Sequence, residues 1–159
     1  MKDGFLKRRL VRPVLSLLKG GVTPEKMALS LSLGVVLGIF PVLGTTTVLC
    51  TIAAVVLKLN LPAIQSVNYF LYPIQIALLI PFFRLGEIVF RAPRFPISVA
   101  QIREMAHGSV WTTVQTLWTT AWHAIVVWSL LAPVLAGILY RILKPVLRRA
   151  WQAARPPAA

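Results

Sequence analysis

Acid is what this sequence has least of. Only four of its 159 residues are acidic: Asp3, Glu25, Glu87 and Glu104. They are scattered through the chain, so no carboxylate pair is set up for acid–base work. Cysteine is nearly absent too. Cys50 stands alone, which excludes an intrachain disulfide, and it reads as a small packing residue in an apolar run. With only His107 and His123 besides, no convincing metal set exists. Phosphate-loop, dinucleotide, zinc-protease and GxSxG motifs are all missing. The sequence therefore names no catalytic residue, no metal ligand and no cofactor, and an enzyme is not expected.

What is present is apolar. The hydrophobic fraction is 57% and only 13% of residues are charged, against about a quarter in ordinary soluble domains. Three uncharged runs, 28–57, 59–83 and 109–140, hold most of these residues. Each exceeds the roughly 18 residues that suggest a membrane helix. The net charge of +13 lies on the flanks of these runs. That distribution fits contact with anionic lipid headgroups and does not form a continuous nucleic-acid surface.

The first long run is broken at its centre. Gly38, Pro41 and Gly44 fall together and are followed by Thr45, Thr46 and Thr47. As one straight helix the run would be about 45 Å long, against a hydrocarbon core of about 30 Å. Two halves of roughly 12–13 residues are each too short to span. The combined break favours a re-entrant hairpin over one tilted, kinked helix. Irregular backbone at membrane depth needs protein or trapped water to satisfy its amides. Ser30, Gly34 and Gly38, at i, i+4 and i+8, form a small-residue stripe for close helix packing.

The second run is also interrupted. Gln65, Asn68 and Gln75 cluster around Pro73. Amides in lipid are costly unless paired, so they read either as interhelical hydrogen-bond glue or as a polar cavity wall. The start of a half-helix near Thr45 offers free N–H groups that suit an anion, with Arg84 at the rim. The candidate ligand or helix-break set is Gly38, Pro41, Gly44, Thr45, Thr46, Gln65, Asn68, Pro73, Gln75 and Arg84.

The expected fold is all-α: a polytopic integral membrane protein with two broken helical hairpins, either of which can be re-entrant. It adds a C-terminal transmembrane helix and an N-terminal amphipathic surface helix. Residues 1–21 form the basic interfacial helix, where Arg8, Arg9 and Arg12 interrupt any signal-peptide core. The membrane domain covers 22–143, with broken helices at 24–57 and 62–85. A polar cytoplasmic segment fills 86–108, and a final helical region, rich in Trp and Thr, fills 109–143. His123 reads as a packing histidine more readily than a proton relay. The basic tail, 144–159, is expected to be flexible.

Thr23 can cap the helix that starts at Pro24, and Pro62 opens the helix after the Asn60-Leu61 turn. Basic residues number seven before the first run, one between the first two, four in 84–108 and five in the tail. Three simple crossings split them eleven to six. A single crossing by the last run alone splits them twelve to five. If the last run also turns back, all seventeen share one side. Each arrangement puts the N-terminus in the cytoplasm, and the side of the C-terminus stays open.

The order Pro24, Ala28, Gly34, Gly38, Phe40-Pro41, Gly44, Asn60-Leu61-Pro62-Ala63, Asn68, Pro73 and Gly86 resembles a bacterial membrane family. It is catalogued as domain of unknown function "twenty sixty-two". The resemblance implies a multi-pass protein of the bacterial cytoplasmic (inner) membrane. Two functions are compatible with the residues. One is a carrier or translocator of an anionic, phosphate-bearing lipid or small solute through paired helix breaks, with a homodimer enclosing the pathway. The other is a non-catalytic scaffold or accessory subunit for cell-envelope enzymes. Membrane lipids are the expected partners in both, and nucleic acid in neither.

Overall fold

The computed structural model describes residues 23–94 and 110–154, and those residues form five helices with no strand among them. They are α1 (Pro24–Gly38), α2 (Thr46–Val56), α3 (Leu61–Phe70), α4 (Tyr72–Phe90) and α5 (Val110–Ala154). The expected N-terminal surface helix, most of the 86–108 segment and the last five residues lie outside the described residues.

Local chemistry sets the boundaries. Thr23 Oγ1 accepts from the Lys26 N–H at 3.3 Å, and Pro24 occupies the first turn of α1. The Gly38 to Gly44 break ends α1, and Gly44 takes φ +82°, open to glycine without strain. Lys58, at φ 51°, closes α2, with Leu59 N–H bonding back to Ala54 O at 2.8 Å. Asn60 Oδ1 then caps α3 by accepting from Ala63 N–H at 2.9 Å.

The two breaks behave differently. At the first, the chain turns round: α2 packs beside α1, with Leu33 and Leu37 against Cys50 and Ala54. At the second, only Leu71 separates α3 from α4. Helical bonds continue on both sides of it, Leu71 N–H to Val67 O at 3.0 Å and Gln75 N–H to Leu71 O at 2.8 Å. Pro73 has no N–H to offer, so the rod kinks there without folding back. Where a second hairpin was expected, the chain from Leu61 to Phe90 is helical but for Leu71.

α3 runs parallel to α1 in constant register. Asn60 N–H donates to Ser30 Oγ at 3.0 Å. Further up, Gly34 meets Ile64, and Gly38 meets Asn68. Each pair is 30 residues apart in sequence. The small-residue stripe is what permits this approach. A Cβ on Gly34 would sit 2.9 Å from Ile64 O. α5 crosses the bundle antiparallel to α1 and α4. Leu147 joins Met27, Ala28 and Ala63 in one core cluster, and Ala124 and Val127 join Phe82 in another. The chain is helical to Ala154, so α5 continues through residues 144–154 of the expected basic tail.

Burial does not follow polarity closely. Ser30 and Ser32 are 0% exposed, Gln75 1% and Asn68 3%, while Phe70 is 80% exposed, Ile88 73% and Trp118 72%. Polar side chains thus share the interior with the apolar clusters, and many large apolar side chains face outward. α4 and α5 are each long and apolar enough to cross a membrane.

Candidate functional site

Where α1 stops, its last carbonyls lose their helical donors. Phe40 N–H turns to Leu37 O at 3.2 Å, so it no longer serves Val36 O. Trp128 of α5 replaces it, donating from Nε1 to Val36 O at 3.1 Å. The same indole packs edge-on against the Phe40 ring, with centroids 4.8 Å apart. Beyond Pro41, which is buried, the loop carbonyls are met by Gln75. Its Nε2 donates to Phe40 O at 2.8 Å and more weakly to Val42 O at 3.5 Å. The two breaks therefore meet through one amide.

One turn below, α2 and α3 share a second polar network. Gln65 Nε2 donates to Thr47 O and to Thr51 Oγ1, both at 2.9 Å. Asn68 Nδ2 donates to Gln65 Oε1 at 3.2 Å and to Thr47 Oγ1 at 3.4 Å. All four amide and hydroxyl side chains thus interlock. Two oxygens do not. Asn68 Oδ1 and Gln75 Oε1 are buried with no hydrogen-bond donor among the described residues. Asn68 Oδ1 lies against Gly38, 3.5 Å from where a Cβ would stand. A buried acceptor left unpaired costs about 1–3 kcal/mol.

The start of α2 completes the region. Thr45 makes no side-chain cap, because its Oγ1 donates to Val42 O at 2.9 Å instead. The first N–H groups of α2 have no acceptor within their own helix, and the helix dipole places partial positive charge there. An uncapped helix start and two unpaired side-chain acceptors therefore lie near the break.

Of the ten residues singled out in sequence, Gly38, Pro41, Thr45, Thr46, Gln65, Asn68 and Gln75 line or support this region. Gly44 and Pro73 shape it but point outward, both being exposed. Arg84 does not join it. It lies nine residues beyond Gln75, about 13 Å along α4, and donates from Nη1 to Glu87 Oε2 at 2.7 Å. Thr47, Thr51 and Trp128 were missing from the sequence-derived set. Thr51 was findable, four residues from Thr47 on the same helical face. Trp128 gave no signal, because its partner is 92 residues away.

A family model described as an uncharacterized protein conserved in bacteria, DUF2062, matches residues 6–155. The chain belongs to this family. No curated protein and no solved structure matches it. In this DUF2062 chain the Gly-Ile-Phe-Pro break and the Asn-Leu-Pro turn are joined in space. The break ends α1 at Gly38, and the turn starts α3 in register beside it. Nothing in the family description assigns a ligand to that junction.

Proposed function

We propose that this chain is a multi-pass protein of the bacterial cytoplasmic membrane. In it α1 and α2 form a re-entrant hairpin, α3 and α4 one kinked span, and α5 a second span. The outward apolar side chains and the two long helices support this reading. Charge supports it as well. Both chain ends and the α2–α3 turn then share one side, which gathers thirteen basic residues and leaves four on the other. That split is sharper than any given by three simple crossings or by one. It puts the N-terminus and the C-terminus in the cytoplasm and the segment after α4 outside. Eighteen residues separate Arg141 from His123 on α5, about 27 Å of helix and close to a hydrocarbon core.

Within that frame the break region is a carrier site for a phosphate-bearing lipid or small solute. The observation that carries this is the pair of buried amide oxygens, Asn68 Oδ1 and Gln75 Oε1, without donors. They sit beside an uncapped helix start that attracts anions. A ligand with phosphate oxygens and a hydroxyl or acidic proton meets both demands. The test is flux of a labelled anionic lipid across proteoliposomes. Wild-type flux lowered at least tenfold by Thr45→Val with Asn68→Leu supports the carrier. Absence of wild-type flux ends it.

The scaffold reading rests on the closed Thr47–Gln65–Asn68 network, which locks α2 to α3 as packing alone requires. It predicts one consistent envelope-enzyme partner on purification, retained in the same double variant.

A further inference from the structure

A second polar region lies well away from the breaks, where the end of α4 passes the N-terminal half of α5. Two neighbouring cavities lie there, of about 310 Å³ and about 200 Å³, with Glu87 and Ala92 common to their walls. The larger is lined by Arg84, Arg94 and Ile88, the smaller by Thr116, Thr119, Thr120 and His123. Guanidiniums dominate the first wall, beside the Glu87 carboxylate, and threonine hydroxyls the second, beside Gln115 and His123.

The α4 wall donates. Arg84 gives one N–H to Glu87, whose side chain is only 7% exposed, while the guanidinium is 36% exposed. A buried carboxylate thus anchors a half-exposed guanidinium, and other donors of its fork remain for a ligand. Arg94 adds a second guanidinium. Two arginines against one carboxylate leave one net positive charge on the described lining.

The α5 wall accepts. Thr119 Oγ1 donates its hydrogen to Gln115 O at 2.8 Å, and Thr120 Oγ1 donates to Thr116 O at 2.8 Å. Hydroxyls committed in this way turn lone pairs outward, toward a donor. A ligand for this cleft therefore carries one negative charge on oxygen at one end and a neutral hydrogen-bond donor at the other. Chloride and sulfate lack the second feature, inorganic phosphate offers it only on the charged group itself, and an aminoalkyl phosphodiester is net neutral.

We propose that the cleft between α4 and α5 binds a phosphodiester bearing a hydroxyl, the chemistry of an anionic phosphoglycerol lipid headgroup. Arg84 and Arg94 hold the phosphate, and Thr119 and Thr120 accept from the glycerol hydroxyls. Glu87 is a positioning residue for Arg84. The cleft sits where the apolar length of α4 gives way to arginines, the depth of a headgroup. This deepens the carrier reading by naming a docking site at the surface, and it rests on that reading's membrane placement.

The test uses the full chain in detergent, titrated by native mass spectrometry with chain-matched phosphatidylglycerol, phosphatidylethanolamine and phosphatidic acid. Phosphatidylglycerol is expected to bind at least tenfold more tightly than phosphatidylethanolamine. Arg94→Gln, at an exposed site, should weaken it about tenfold, the worth of one charged hydrogen bond. Arg91→Asn, which removes a nearby charge outside the cleft, should leave it unchanged. Thr119→Val with Thr120→Val should erase the preference over phosphatidic acid. Equal binding of the three lipids, or equal losses from Arg91→Asn and Arg94→Gln, would overturn the proposal. Soluble glycerophosphoglycerol binding as tightly as the lipid would transfer the site to a water-soluble phosphodiester and overturn the lipid assignment. Failure here and failure of the carrier are separable. Flux that survives Arg94→Gln with binding lost removes the cleft as a docking site. Binding without flux removes only the carrier.

Discussion

Gln75 and Phe40 are 35 residues apart in sequence, yet the Gln75 side-chain amide donates to the Phe40 carbonyl at 2.8 Å. One residue on each side of a proline break thereby ties the two breaks together. The carbonyl needs a donor because Pro41 follows it and the helix has ended. The amide is 1% exposed, so water does not compete for it.

Gln75→Leu should therefore strand Phe40 O. The lost bond costs about 1–3 kcal/mol and removal of the unpaired Oε1 returns part of it, so a modestly lower midpoint is expected in an SDS or heat titration of the reconstituted chain. A raised midpoint would mean that the breaks are not held by this bond.

Gly34→Ala should be more damaging than Gly137→Ala. A methyl at 34 would meet Ile64 O at 2.9 Å and Val67 Cβ at 3.0 Å, whereas at 137 nothing lies within 4 Å. Prising α1 from α3 should cost about 1–3 kcal/mol, while the change at 137 should stay within about 1 kcal/mol of neutral. Equal effects would refute the parallel α1–α3 register.

Trp128→Phe keeps an aromatic ring beside Phe40 but removes the donor to Val36 O. We expect a loss of about 1–2 kcal/mol, and about 0.5–1.5 kcal/mol more in Trp128→Leu, which also removes the ring contact. A larger effect of Leu than Phe measures the ring contact separately.

Acid should loosen the clamp between α1 and α5. Arg148 donates through Nε and Nη2 to Glu25 Oε1. A backbone hydrogen bond at the helix start, and then Arg148, hold the Glu25 carboxyl below its usual range. A lowered folded value means that the stabilisation is complete above the unfolded value and is lost as pH falls through the folded one. The midpoint should thus drop below about pH 4, and Glu25→Gln should flatten that dependence. An unaltered acid limb in Glu25→Gln would assign it to another group.

Cysteine labelling tests the topology. With Cys50→Ala removing the native thiol, single cysteines at positions 58 and 149 should react from one face of the membrane and one at 91 from the other. Lys58, Arg91 and Arg149 are all exposed. Reaction of 58 and 91 from the same side would rule out a kinked span through α3 and α4.

Much of the local structure was written into the sequence. Thr23, Pro24, Asn60 and Pro62 predict two helix starts, and Gly38, Pro41, Gly44 and Pro73 predict two interruptions. The spacing of Ser30, Gly34 and Gly38 predicts a close neighbour. These follow from backbone dihedrals, missing N–H groups and small side chains, which act within a few residues. The sequence could not say which neighbour fills the stripe, nor that one break reverses the chain while the other merely kinks it. Direction after a break is chosen by distant partners: Asn60 on Ser30, Ile64 on Gly34, and Gln75 on the Phe40 carbonyl. Nor could it show that Arg84 stands apart from the breaks and pairs with Glu87. A proline breaks a helix wherever it stands. What the freed groups then bond to depends on contacts up to 92 residues away, and only the packed fold brings those groups together.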